Sequence, residues 1–198
     1  MSTMNSVTEY GEFDEKFQET FELFKRNIES DEEVGASFAV YKDGKPIIDL
    51  YGGFQDRDKK ISWNKDTLVN VHSTSKGIVA MIVAKLIDNG DLELDKRVCD
   101  YWPEFSENGK NNIRVKTLLS HQAGLYGWRE PLDETDFYKW DYVCELLAKQ
   151  KPFHEPNEEI CYHPKTIGFL VGELIKRITK KTVGKNLHEL LSKPLDAK

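Results

Sequence analysis

Ser73 and Lys76 stand three residues apart at the head of an apolar helical pattern, and that segment constrains the fold more than any other. Residues three apart on a helix share a face one turn apart. An amine then lies beside a hydroxyl, the arrangement that makes an inert serine nucleophilic. Behind the pair, Ile78, Val79, Met81, Ile82, Leu86 and Ile87 recur at helical intervals and Asn89-Gly90 closes the run. The pattern predicts a helix from Ser73 to near Gly90. Ser62 and Lys65 have the same spacing, but they sit in the polar stretch Lys59 to Asp66. Spacing alone therefore does not single out a site; the helix behind Ser73 does.

Upstream, Phe13, Phe17, Phe21 and Phe24 fall at helical spacing and predict an amphipathic helix over about residues 10–29, with the phenylalanines as its core face. Two short apolar runs follow, Ala36 to Tyr41 and Pro46 to Tyr51, separated by Lys42-Asp43-Gly44-Lys45. Asp-Gly between such runs predicts a two-residue hairpin. From Ser73 onward the patterns are mostly helical. Thr117 to His121 reads as a short helix stopped by Gly124, and Asp136 to Gln150 as a longer one with Tyr138, Val143, Leu146 and Leu147 inward. Tyr101-Trp102-Pro103 reads as a turn with buried aromatics. Thr166 to Ile178 forms another helix, and Asn186 to Leu191 begins the last. No repeat, low-complexity tract or flexible linker interrupts the chain, so residues 1–198 read as one domain.

Composition narrows the function classes. Of 198 residues, 39% are hydrophobic and 31% charged, the balance of a soluble globular protein. The net charge is −6 with no basic stripe, which argues against nucleic acid as a partner. No apolar run approaches the ~18 residues that span a bilayer, which argues against a membrane. The first thirty residues are polar and acidic and resemble neither a secretory signal nor a transit peptide. Cys99, Cys144 and Cys161 show no metal or disulfide spacing and read as reduced packing thiols. A cytoplasmic setting is the expectation.

Several segments, in order, resemble the serine β-lactamase-like hydrolases, a group that includes penicillin-binding-protein-like carboxylesterases, class C β-lactamases and animal lactamase-domain proteins. Asp66-Thr67-Leu68 and His72-Ser73-Thr74-Ser75-Lys76-Gly77 are similar to the family's nucleophile segment. The run Leu86 to Asp95 resembles the helix end and turn after it. Val115 to Leu125 resembles its "LLxHxSGL" segment, with Ala123 where serine is usual. Cys161-Tyr162-His163-Pro164 followed by Gly168 to Glu173 resembles the tyrosine motif and its helix, with Pro164 where asparagine is common. Lys193-Pro194-Leu195-Asp196 resembles a "KPLG" turn. The likeness covers about residues 12–196.

The resemblance implies an α+β, β-lactamase/transpeptidase-like fold and a catalytic set of Ser73, Lys76 and Tyr162. Ser73 would form an acyl-enzyme with a small ester or amide. Lys76 would draw off its proton, and Tyr162 would act as partner base or as relay to the leaving group; which of the two is the base stays open. The backbone N–H of Ser73 would supply half of an oxyanion hole. Neither metal nor cofactor is implied, and no His-x-His-x-Asp-His ligand run points to zinc chemistry. Pro164 leans toward the esterase branch. His121 and His163 read as neither ligands nor bases, and His72 as a structural neighbour.

The family's last strands, its closing helix and a "KTG" or "HxG" element have no counterpart before Lys198. The fold is thus expected to be incomplete: an N-terminal helix, a β-hairpin and a helical subdomain. A missing oxyanion donor costs ~10²–10³ in rate, so impaired catalysis is expected, with a non-catalytic truncated paralogue or isoform, acting as a binding or regulatory module, as the alternative. An open, apolar sheet edge offers a route to self-association and poor solubility.

Overall fold

A computed structural model describes residues 6–197, which divide into two compact units, up to Asn70 and from Val71 onward.

The first unit is an antiparallel four-stranded sheet with one helix. Strands β1 (Ser6–Thr8), β2 (Gly11–Phe13), β3 (Gly35–Lys42) and β4 (Lys45–Gly53) lie in the order β1-β2-β4-β3. The β3–β4 hairpin forms at the predicted Asp43-Gly44 turn. Both residues have positive φ, +51° and +74°. That left-handed pair gives the turn the twist of the strands it joins. A register shift between Val40 and Tyr41 lies opposite Pro46, which has no N–H to give the ladder. Among the described residues β3 pairs with β4 alone, and its Phe38 and Tyr41 are exposed.

Helix α1 (Gln18–Glu29) covers one face of this sheet. Phe21 stacks on Phe13 with ring centroids 4.6 Å apart, over Ile48 and Leu50 of β4. Tyr10 meets Phe21 and Phe24 edge-on. Gly52 is required beneath Tyr10, because a Cβ there would stand 2.5 Å from its ring. The predicted helix over residues 10–29 is corrected at its front. Phe13 belongs to β2 and Phe17 to a 3-10 turn, Glu15–Phe17, with Asp14 capping it by accepting from the Lys16 N–H. All four phenylalanines still join one core, so a helical spacing arose from a strand, a turn and a helix that share a face. Irregular chain from Phe54 to Asn70 completes the unit, anchored where Trp63 Nε1 donates to Ser37 Oγ at 2.7 Å.

The second unit is helical. It contains α2 (Ser75–Asp88), α3 (Val115–Leu119), α4 (Trp140–Lys149), α5 (Thr166–Thr179) and α6 (Val183–Leu187), the last running into a π-helical turn, His188–Ser192. Helix α5 is central, burying Ile167, Leu170, Val171, Leu174 and Ile175 in one cluster with Ile82, Val83 and Leu86 of α2 and Cys144, Leu147 and Ala148 of α4. Its buried Glu173 is satisfied on both oxygens, by Trp140 Nε1 at 2.7 Å and Arg177 Nε at 2.8 Å. Trp102 fills the core beside them, as expected of its turn, with Phe105 next to it, while Tyr101 is only half-buried.

The inner face expected for α4 is corrected. Tyr138 is 90% exposed, because it ends a separate 3-10 turn, Asp136–Tyr138, and the break at Lys139 takes it out of the helical register. Cys144 and Ala148 take the inward places instead. Lys110, fully buried, donates through Nζ to Glu107 O at 2.6 Å and to Gln150 O at 2.5 Å, the latter the carbonyl just past α4. No helix among the described residues is long and apolar enough to cross a membrane. The three cysteines are free thiols, and burial pushes that of Cys144 up to about 12.

Candidate active site

The segment that carries Ser73 begins with a forced backbone. His72 has φ +45°, a conformation that side chains other than glycine rarely adopt. A 3-10 turn, His72–Thr74, then leads into α2, so Ser73 sits just ahead of the positive end of a fourteen-residue helix. Lys76 lies in the first turn of that helix.

Three side chains meet at one oxygen. Lys76 Nζ donates to Ser73 Oγ at 2.9 Å, and Tyr162 OH donates to the same oxygen at 2.7 Å. Lys76 Nζ also donates to the Pro164 carbonyl at 2.9 Å and lies 5.1 Å from the centre of the Tyr162 ring. The structure thus brings Ser73, Lys76 and Tyr162 into mutual contact across 89 residues of sequence. Hydrogen bonding with Ser73, then with Lys76, and the lysine's charge hold the Tyr162 phenol below its ordinary range. Ser73 and Tyr162 are exposed and Lys76 half-buried, so a ligand can approach from solvent. A pocket of about 250 Å³ reaches Lys76, its lining apolar at Val79, Leu119, Ile167 and Val171 and polar at His72, Ser75, His121 and Lys165.

Two histidines stand behind the tyrosine. Leu125 N–H donates to the buried His163 Nε2 at 3.0 Å. The ring proton therefore sits on Nδ1, which donates to Cys161 O at 2.5 Å. Burial pushes His163 down to about 4, which keeps the ring neutral. His121 lies between, its ring 5.1 Å from that of Tyr162 and 5.3 Å from that of His163. Sequence reasoning missed this pair as part of the site and missed the Pro164 carbonyl. The carbonyl leaves no side-chain signature; the histidines could have been noticed from their places in the two motifs that flank the serine in space. Among the described residues no group of three or more His, Cys, Asp or Glu side chains could hold a metal ion.

The beta-lactamase family model matches residues 22–198, nearly the whole chain. The chain belongs to the beta-lactamase family. Among the family's curated proteins it is 34% identical to the esterase/beta-lactamase LipL of Mycobacterium tuberculosis, over 82% of this chain and 37% of that protein. A family VIII carboxylesterase superposes with a TM-score of 0.85 at 39% identity, covering 94% of this chain and 50% of the other. A penicillin-binding protein homolog from Caulobacter crescentus gives 0.89 at 36% identity, covering 98% and 51%. The α+β architecture is that of the β-lactamase/transpeptidase-like fold, and the chain spans about half the length of these solved relatives and little more than a third of LipL.

Proposed function

We propose that the chain carries the nucleophile-bearing part of an esterase-like serine hydrolase that forms an acyl-enzyme at Ser73 with small esters or amides. The observation that carries this reading is the double contact on Ser73 Oγ, from Lys76 at 2.9 Å and Tyr162 at 2.7 Å. A serine flanked by an amine and a phenol has two groups able to exchange its proton. As the bond from Oγ to the substrate carbonyl carbon forms, the Ser73 proton passes to whichever of the two is deprotonated, and the carbonyl electron pair moves onto its oxygen. The Ser73 N–H and the positive end of α2 favour that oxyanion. Collapse expels the alkoxide or amine, which takes up the same proton. Water then repeats the sequence and releases the acid.

The lowered phenol of Tyr162 supports its share in this relay. Hydrogen bonding with Ser73 does most to lower it, and Lys76, fixed by the Pro164 carbonyl as well as by Ser73, adds to that effect. The relatives described as carboxylesterase and as esterase/beta-lactamase support the ester side of the substrate range. The apolar pocket beside Lys76 suits a short acyl chain.

The test is intact-mass labelling with a fluorophosphonate probe, beside Ser73→Ala. One adduct that disappears in the alanine variant supports the reading, and short-chain ester turnover should follow. No adduct on soluble, folded chain rejects it and favours the non-catalytic binding role.

A further inference from the structure

Tyr162 must hold its hydroxyl 2.7 Å from Ser73 Oγ, yet 52% of its surface is exposed, so packing around the ring does little to fix it. The segment that carries it lies outside any helix or strand. What grips that segment is His121. Its carbonyl accepts from Cys161 N–H at 3.0 Å, and its ring Nδ1 accepts from His163 N–H at 3.1 Å. The two residues flanking Tyr162 are thus held by two atoms of one residue. His121 has φ +61°, the left-handed conformation, and in it both ring and carbonyl reach the same segment.

We infer that His121 is a positioning residue for Tyr162, acting through its unprotonated Nδ1 as acceptor for the His163 N–H. This deepens the reading of Tyr162 as a proton partner of Ser73 and rests on it for its catalytic meaning. The ring can accept only while Nδ1 carries no proton. The titratable groups around it are Lys76 of α2 and Cys161, Tyr162 and His163 of the gripped segment. Burial first, and the Lys76 charge second, lower the affinity of His121 for a second proton. The neighbouring His163 is locked in one tautomer between Leu125 and Cys161, so the segment's far side is fixed as well.

Three measurements on the full chain test this. In the unaltered protein, a trans-hydrogen-bond ¹⁵N–¹⁵N coupling should appear between the His163 amide and His121 Nδ1; its absence overturns the inference. The Tyr162 phenol, followed by ¹³Cζ-tyrosine NMR and assigned with Tyr162→Phe, should titrate below the ordinary value. In His121→Gly, which keeps the backbone conformation but removes the acceptor, it should return toward that value. In His121→Asn, which tolerates positive φ and places Oδ1 where Nδ1 stood, it should stay lowered. A folded glycine variant with an unchanged Tyr162 titration overturns the inference, as does an asparagine variant that behaves like glycine. Fluorophosphonate labelling of Ser73 should slow about 10²-fold in the glycine variant and recover in the asparagine one. If Ser73 takes no label at all, the hydrolase reading falls while both NMR readouts still decide the role of His121.

Discussion

Tyr162 and Lys76 touch the same oxygen, so each can be removed separately and the remainder measured. Tyr162→Phe should slow phosphonylation of Ser73 by about 10²-fold or more. It should leave the melting temperature nearly unchanged, since the ring is half exposed. An unaltered labelling rate would take the phenol out of the relay. His163 gives a pH effect whose sign follows from its lowered affinity. With the folded ring near 4 and the unfolded one near 6.5, the unfolded chain binds more protons between those values. Stability contributed by the neutral ring is therefore complete above pH 6.5 and lost as pH falls toward 4, on the order of 3 kcal/mol in all. His121, lowered too, adds to the same slope. Urea titrations at several pH values should show it, and His163→Gln, which keeps an acceptor for Leu125 N–H without a titrating ring, should flatten it. That Ser73, Lys76 and Tyr162 meet was legible because side-chain chemistry and motif order point to them. The acceptors that aim them, Pro164 O and His121 Nδ1, depend on how distant loops meet, which no local pattern encodes.

At the scale of elements, the hairpin and α2 were legible because Asp43-Gly44 and the Ile78 to Ile87 stripe each specify one backbone. Strands β1 and β2 were not, since three-residue strands hold too little alternation and Phe13 matched a helical count by coincidence. Tyr138 misled for the converse reason: its spacing suited α4, but the chain leaves helical geometry at Lys139. Two elements make sharp predictions. Gly124 has φ +68°, and a Cβ there would lie 2.6 Å from the His154 carbonyl oxygen, across the gap where Phe153 N–H bonds the Gly124 carbonyl. Gly124→Ala should destabilise the chain by about 1–3 kcal/mol and loosen the loop that carries His121. Lys110 ties two loop carbonyls from inside the core, and burial pushes its amine down to about 8. Between pH 8 and 9 the unfolded chain holds the proton that the folded chain sheds, so stability should rise with pH there. In Lys110→Met that rise should vanish, and about 1–3 kcal/mol should be lost with the stranded carbonyls. Above pH 9 the buried Cys144 thiol acts in the opposite direction, because the folded chain keeps a proton that the unfolded one releases.

For the whole molecule, the two units differ in what holds them. The first rests on a cluster of four buried apolar side chains, Phe13, Phe21, Ile48 and Leu50, whereas the second encloses a core reaching from α2 through α5. A thin core opens at low cost. Amides of β3 and β4 should therefore exchange with deuterium before those of α5, and equal protection would refute that ranking. The division was not legible in the sequence: residues 54–70 are neither rich in glycine nor repetitive, and nothing local marks Asn70 and Val71 as a boundary. The indole bond of Trp63 to Ser37 has a use beyond anchoring a loop. Of the chain's four tryptophans it alone falls in the first unit, and Trp102, Trp128 and Trp140 fall in the second. Each unit thus carries its own light source: the difference in emission between the chain and its Trp63→Phe variant follows the sheet, and what remains follows the helices that hold the serine.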